Sequence, residues 1–210
     1  MDKILKWYWT LVKKYKKVDI KKIKLSDCDN WFISSKNIKF KSNLFFKIGG
    51  ILIKKNKRII NYSWSQPLIF EKRNKGGILG LIKTTIKNKE FYLIQGKFEP
   101  GNVYKIQLSP TVQSTFSSIE FNKGKIFYLD YFIKKKFKKN IILKKWVSED
   151  GGRFYNKKNL VMICEIKNYK SLKLRKNFMW INRQDLIKLN FNSKPIVNPH
   201  IRTLLSFILS

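Results

Sequence analysis

The chain has 210 residues, 43% hydrophobic and 15% aromatic, which supports one sizeable core and excludes wholesale disorder. Its 46 Lys and Arg against 13 Asp and Glu leave +33, yet only 6 of the 46 are Arg, Ile and Asn are abundant and Ala is absent. That is the imprint of AT-rich codons, and with Arg scarce the charge does not point to specific nucleic-acid recognition.

Taken in chain order, Ile4, Tyr8, Leu11, Val12 and Tyr15 recur at helical spacing and predict an amphipathic helix over Asp2–Lys17. Docking of this helix on the core or on a second subunit is expected ahead of an anionic membrane surface. Lys3, Lys6, Lys13 and Lys14 interrupt any signal-peptide run, and no stretch approaches the roughly 20 apolar residues of a transmembrane segment, so a cytoplasmic protein is expected. Cys28, Cys164 and the single His200 are too few for a structural zinc site and fit a reducing compartment.

Strands are predicted at Lys36–Lys41, Leu44–Lys54, Arg58–Tyr62, Gly77–Ile86, Glu90–Glu99, Val103–Ser109 and Phe154–Lys167, with a bulge or close approach at Gly49-Gly50. Helices are predicted at Gln113–Phe121, Arg183–Asn190 with Asn182 as N-cap, and Asn198–Leu209. No linker or internal repeat divides the chain. The expected class is α+β, a mostly antiparallel sheet flanked by helices, with residues 1–24 as helix and connection and 25–210 as one domain.

Polar residues converge in Phe91–Thr111. Strand alternation puts Gln95, Lys97 and Glu99 on one face and Tyr92, Ile94 and Phe98 on the other; the next strand repeats the pattern with Lys105, Gln107 and Ser109. A three-residue Pro100-Gly101-Asn102 loop with Asn102 left-handed is predicted, pairing Lys97 with Lys105 and Gln95 with Gln107. Such a face, continued by Thr111 and Gln113, suits a polyhydroxylated ligand as well as it suits a wet surface. Near Gly151-Gly152, Arg153, Lys157 and Lys158 read as a phosphate clamp or as Lys-rich background, and Arg202 is marked by the scarcity of Arg.

The ordered set LSDCDNW and FKSNLFFKIGG (25–50), WSQPLI (64–69), GGILGLI (76–82), QGKFEPGNVYKIQLSPTVQST (95–115), SEDGGRFYNKKNLVM (148–162), FMWINRQDL (178–186) and VNPHIRTLLS (197–206) resembles the NDP-hexose 2,3-dehydratase family. Members of that family usually carry two such units in tandem, each Nudix-like; this chain carries one. The resemblance implies a Nudix-like mixed sheet and nucleotide-sugar binding, without the Glu-rich Nudix box. It also implies a homodimer in which two copies stand in for the tandem pair.

The implied reaction is loss of water across C2–C3 of an NDP-4-keto-6-deoxyhexose, dTDP-linked, with a ketoreductase downstream. It needs a base for the C3 hydrogen, an oxyanion donor, an acid and a diphosphate clamp. It needs no cofactor, and no metal site is expected. Glu99 is the expected base, with Lys97 or Tyr155 as acid or oxyanion donor. Gln107, Ser109, Thr111 and Asn102 are expected to orient sugar hydroxyls or the base, and Arg153, Lys158 and Arg202 to hold the diphosphate. Trp64, Gln95, Gln113, Glu149, Asn159 and Trp180 complete the expected lining. For Glu99 a salt bridge to Lys is the competing reading; for Tyr155 and Trp180 it is core packing, and for His200 a surface position at a helix start. Two other function classes stay open, a non-catalytic nucleotide-sugar-binding or partner subunit and a nucleic-acid or anionic-surface binder.

Overall fold

The computed structural model describes residues 1–42, 45–56, 58–71 and 76–209. Helix α1 (Asp2–Lys16) leads into a four-stranded antiparallel sheet of β1 (Trp31–Ile33), β2 (Asn37–Phe40), β3 (Lys47–Ile53) and β4 (Trp64–Phe70). The larger, seven-stranded sheet is built from β5 (Gly77–Ile86), β6 (Lys89–Phe98), β7 (Ile106–Ser109), β8 (Val112–Thr115), β9 (Ile141–Ser148), β10 (Lys158–Glu165) and β11 (Phe178–Asn182). Its main path is β11-β6-β5-β10-β9, antiparallel except for the β5–β10 pair. Those two parallel strands carry the near-continuous apolar runs GILGLI and LVMIC, as a strand covered on both faces must.

Helices cover both faces of the large sheet. On one, α1, α4 (Arg183–Asn190) and α5 (Pro199–Leu209) pack Tyr8, Leu186, Ile201 and Leu204 against Leu79, Ile94, Leu108 and Val161. On the other, α3 (Asp130–Ile133) and the segment before β11 pack Phe132 and Leu172 on Ile82, Leu93 and Met162; the short helix α2 (Phe116–Phe121) lies on the same side. Tyr8 is fully buried and its hydroxyl donates to Ile106 O at 2.9 Å, so α1 is docked on the core as its apolar stripe predicts.

The feature that positions everything else is a fork. The β5–β6 ladder runs from Ile86↔Lys89 to Ile82↔Leu93 and stops. Beyond it the strands splay, β6 pairing with β7 and β5 with β8. Thr111 sits at the apex, 1% exposed: its Oγ1 accepts from Ile82 N at 3.0 Å and donates to Leu93 O. One hydroxyl thus satisfies a donor and an acceptor that the broken ladder leaves without partners.

Several local expectations are corrected. Arg58–Tyr62 is not a strand but a turn within the β3–β4 connection, closed by an isolated Asn56↔Ile60 bridge. The Gln113–Phe121 helix is in fact β8 followed by α2. Strands β1, β4, β8, β9 and β11 were not anticipated, the Val103–Ser109 strand starts only at Ile106, and the Phe154–Lys167 strand spans only Lys158–Glu165. The β3–β4 register is unbroken through Gly49-Gly50, so there is no bulge; Gly49 lies where a Cβ would come within 3.2 Å of the Phe70 ring. Leu44, the predicted start of that strand, lies outside the described residues. The β6–β7 register pairs Lys97 with Gln107 and Gln95 with Ser109, two residues from the prediction. The connection is longer than three residues because Glu99 N bonds Lys105 O and Lys105, at φ 60°, takes the left-handed position instead of Asn102. A shift of two preserves the side-chain alternation, so the polar and apolar faces are as expected.

Candidate functional site

A recess of about 220 Å³ opens in the fork, lined by Lys97 and Glu99 on the β6 side and by Gln113, Ser114 and Thr115 on the β8 side. Glu149, Lys157 and Asn159 enter from the β9–β10 hairpin and His200 from the first turn of α5. Gly76 and Gly77 draw these segments together. At Gly76, φ +66°, a Cβ would fall 1.5 Å from Lys158 O; at Gly77 it would fall 2.4 Å from Ser114 O. Only glycine lets β8 and the start of β10 approach β5 this closely.

Two ion-pair systems hold the walls. Lys97 Nζ lies 2.8 Å from Glu99 Oε1, and Gln113 Nε2 donates to the same oxygen at 3.3 Å. Across the recess Lys157 Nζ lies 2.8 Å from Glu71 Oε1 and 3.8 Å from Glu149 Oε2, with Lys157 and Glu71 both 10% exposed. Asn159 Nδ2 donates to Glu149 Oε2 at 2.7 Å. Half-buried between them, His200 has no hydrogen-bond partner among the described residues. Burial is the largest influence on its imidazole and pushes the pKa below the usual value; Glu149 and Glu99 oppose that shift, and Lys157 and Lys97 reinforce it. At neutral pH the ring is uncharged, with a lone pair available.

A wider groove of about 550 Å³ adjoins the recess and shares Lys97, Gln113, Ser114 and Thr115 with it. Its walls are Phe45, Phe46, Phe127 and Phe178, and Lys125 stands at its edge with no carboxylate partner among the described residues. Together the two spaces fall in the size range of small-molecule sites, roughly 300–1,000 Å³.

Of the residues singled out from sequence, Lys97, Glu99, Gln113, Glu149 and Asn159 meet in the recess, and Gln95 and Thr111 border the groove. The Gln95 amide donates to Pro110 O at 2.8 Å, and Ser109, fully buried, accepts from Asn198. Gln107 donates to Pro195 O at 2.9 Å, and Asn102 sits in the loop after β6 with Nδ2 3.5 Å from Lys97 O.

The others lie away from the recess. Arg153 is exposed and paired with Asp150 at 2.7 Å. Lys158 lies over the Trp146 ring at 4.8 Å, on the opposite face of β10 from Asn159. Tyr155 packs on Phe70 with ring centroids 4.9 Å apart, and Trp64 bonds Gln66. Trp180 lines a separate groove beside α1, and Arg202 points to solvent.

Sequence reasoning passed over Asn198 and Glu71 as site residues, weighed Lys157 only as part of a phosphate clamp or of the Lys-rich background, and left it and His200 out of the expected site. A signal existed for one of them: strand alternation puts Lys157, not Lys158, on the side of Asn159. His200 was expected at the surface, but the fork places α5's first turn over the recess. Among the described residues no three His, Cys, Asp or Glu side chains cluster as metal ligands, and no helix is long and apolar enough to cross a membrane.

An α+β domain with an uncharged imidazole between two Lys–Glu pairs, beside an aromatic groove, is equipped for proton transfer on a small polar ligand. The chain belongs to the NDP-hexose 2,3-dehydratase family, whose sequence profile matches residues 1–208. It is 32% identical over 177 residues to dTDP-4-dehydro-6-deoxy-alpha-D-glucopyranose 2,3-dehydratase of Saccharopolyspora spinosa, covering 83% of this chain and 35% of that enzyme. Enzymes of the same name from Streptomyces violaceoruber and Amycolatopsis orientalis are 27% and 28% identical, over 87% and 89% of this chain and 41% and 40% of theirs. The chain thus spans about two-fifths or less of the length of these relatives. Among solved structures, C. elegans Ap4A hydrolase aligns at TM-score 0.35 and 11% identity, over 62% of this chain and 96% of that one.

Proposed function

We propose that this chain is a dehydrating unit acting on an NDP-4-keto-6-deoxyhexose, dTDP-linked, with His200 as the base. The observation that carries the reading is the uncharged imidazole set between Lys97–Glu99 and Lys157–Glu149 in a recess that opens into a larger aromatic groove. The hexose occupies the recess and the nucleotide the groove, where Phe46 and Phe127 offer stacking faces and Lys125 offers a cation to the diphosphate.

His200 takes the proton from C3, and Lys97 Nζ donates to the C4 oxygen as it becomes an enolate. The C2–O bond then breaks; the hydroxyl leaves as water with the proton from the imidazolium, and the C2=C3 enol tautomerises to the 3,4-diketone. The step is redox-neutral, and a reductase is the class of enzyme that must consume so reactive a product. Glu99, the carboxylate favoured by sequence, accepts from Lys97 and Gln113 at once, which suits it to aim Lys97. Two copies of the chain take the place of the tandem units, and a homodimer is the working form.

A second reading, a nucleotide-sugar-binding subunit without chemistry of its own, is favoured by the chain's covering only 35–41% of its relatives. Incubation with dTDP-4-keto-6-deoxyglucose in heavy water, trapping the product with a ketoreductase, separates the two. A deuterated 2-deoxy sugar supports the lyase, and intact sugar that binds supports the subunit. The mass in solution tests the dimer.

A further inference from the structure

Asn198 is 2% exposed, and every hydrogen-bonding group of its side chain is used. Its Oδ1 accepts from Ile201 N at 3.0 Å and so caps α5, whose second residue is His200. Its Nδ2 donates to Ser109 Oγ at 2.7 Å and to Gln113 Oε1 at 2.6 Å. Ser109 ends β7 and Gln113 lies in β8, so the two bonds join the two arms of the fork. The main chain is held too, Asn198 N donating to Leu108 O at 3.0 Å.

The direction of this chain of amides is not arbitrary. A backbone N–H can only donate, so the bond from Ile201 N fixes Oδ1 toward the helix and Nδ2 toward the fork. Gln113 must then offer its oxygen to Asn198, which leaves its NH₂ facing Glu99, where it donates at 3.3 Å. Lys97 meets that same Glu99 oxygen at 2.8 Å.

We propose that Asn198 is a positioning residue: by capping α5, tying the fork's two arms and dictating which way the Gln113 amide faces, it sets His200 and the Glu99–Lys97 pair in one mutual geometry. This rests on the dehydratase reading for its catalytic consequence, while the geometry it asserts stands apart from turnover.

Two variants test it because both retain a capping oxygen. Asn198→Asp presents an acceptor where Nδ2 stood, so the Gln113 amide turns over and loses Glu99. Asn198→Ser caps α5 but is too short to reach Gln113. Both are expected to lower kcat on the order of ten-fold with little change in KM, as misplacement of a reacting group does. Both are also expected to move the NMR signal of the Gln113 side-chain NH₂, with helix content retained by circular dichroism. A lower Tm with unchanged kcat and an unmoved Gln113 signal would reduce Asn198 to a structural cap and overturn the proposal. Should the wild-type protein show no turnover, the dehydratase reading fails on its own, and the Gln113 signal alone decides the relay: movement in both variants upholds it, and no movement overturns it.

Discussion

The recess around His200 and the groove beside it share Lys97, Gln113, Ser114 and Thr115, yet they are held in opposite ways. In the recess Lys97, Lys157, Glu99 and Glu149 are each tied to a partner, and on the far wall the Lys157 and Glu149 side chains are only 10% and 18% exposed. Along the groove the aromatic rim is open to solvent: Phe46 is 38% exposed and Phe127 is 55% exposed. Preorganised, partly desolvated charge is what proton transfer needs, because field strength falls as water enters. An exposed aromatic rim suits the flat base of a nucleotide, which stacking can hold from one face. Chemistry is expected in the first region and affinity in the second, and substitutions should separate them.

The largest effect is expected from His200→Asn, which should cut kcat by about 10²–10⁴-fold while leaving nucleotide binding intact. Steady-state kinetics beside calorimetric titration with dTDP checks both halves, and a variant with full turnover would remove His200 from the chemistry. Lys157→Met should act on stability instead. It strands Glu71 against Glu149 where both are mostly buried, and loss of about 3–5 kcal/mol is expected from denaturant unfolding. Thr111→Val leaves Ile82 N–H and Leu93 C=O unsatisfied at the apex of the fork and should cost about 1–3 kcal/mol in the same measurement. Phe127→Ala, on the groove's rim, should raise KM severalfold and leave kcat near wild type. Smallest of all, Arg153→Ala touches an exposed ion pair and should leave both KM and the denaturant midpoint near wild type.

The pH dependence sharpens the same contrast. His200 has its pKa lowered by burial, so the uncharged base persists on the acid side of the ordinary histidine value of about 6.5. The acid limb of kcat/KM should therefore lie below that value. Glu149→Gln removes a charge that opposes the shift and should move the limb lower still. Linkage has the matching sign: as pH falls through the unfolded value toward the depressed folded one, the unfolded chain binds the extra proton first. This contribution to stability is full above the unfolded value and is lost on acidification, and urea midpoints across that window measure it.

Much of the framework was legible because it rests on local rules. The stripe Ile4, Tyr8, Leu11 makes an amphipathic helix wherever it docks, Asn182 caps α4 through the N–H of Asp185, and Asn198 is followed by Pro at the first helical position of α5. The apolar runs of β5 and β10 announce central strands. Strand β9 was missed because it is an edge strand, with Lys144, Lys145 and Trp146 exposed and only Ile141, Leu143 and Val147 facing inward. Strands β8 and β11 are only 4 and 5 residues long, too short for periodicity to show.

By itself the sequence determined the class of fold, the polar face of β6, and the family, since these depend on residue order and on alternation along one strand. Only the tertiary structure decided which polar residues meet. Ser109, Thr111 and Gln113 look alike on paper, yet one is a buried acceptor, one seals the apex, and one faces Glu99. Lys157 and Lys158 are neighbours that part to opposite faces of the sheet. His200 entered the site because the β5–β6 ladder stops at Ile82↔Leu93 and α5 caps the opening. Where a ladder stops and what fills the gap follow from the packing of segments distant in sequence, and no local pattern encodes them.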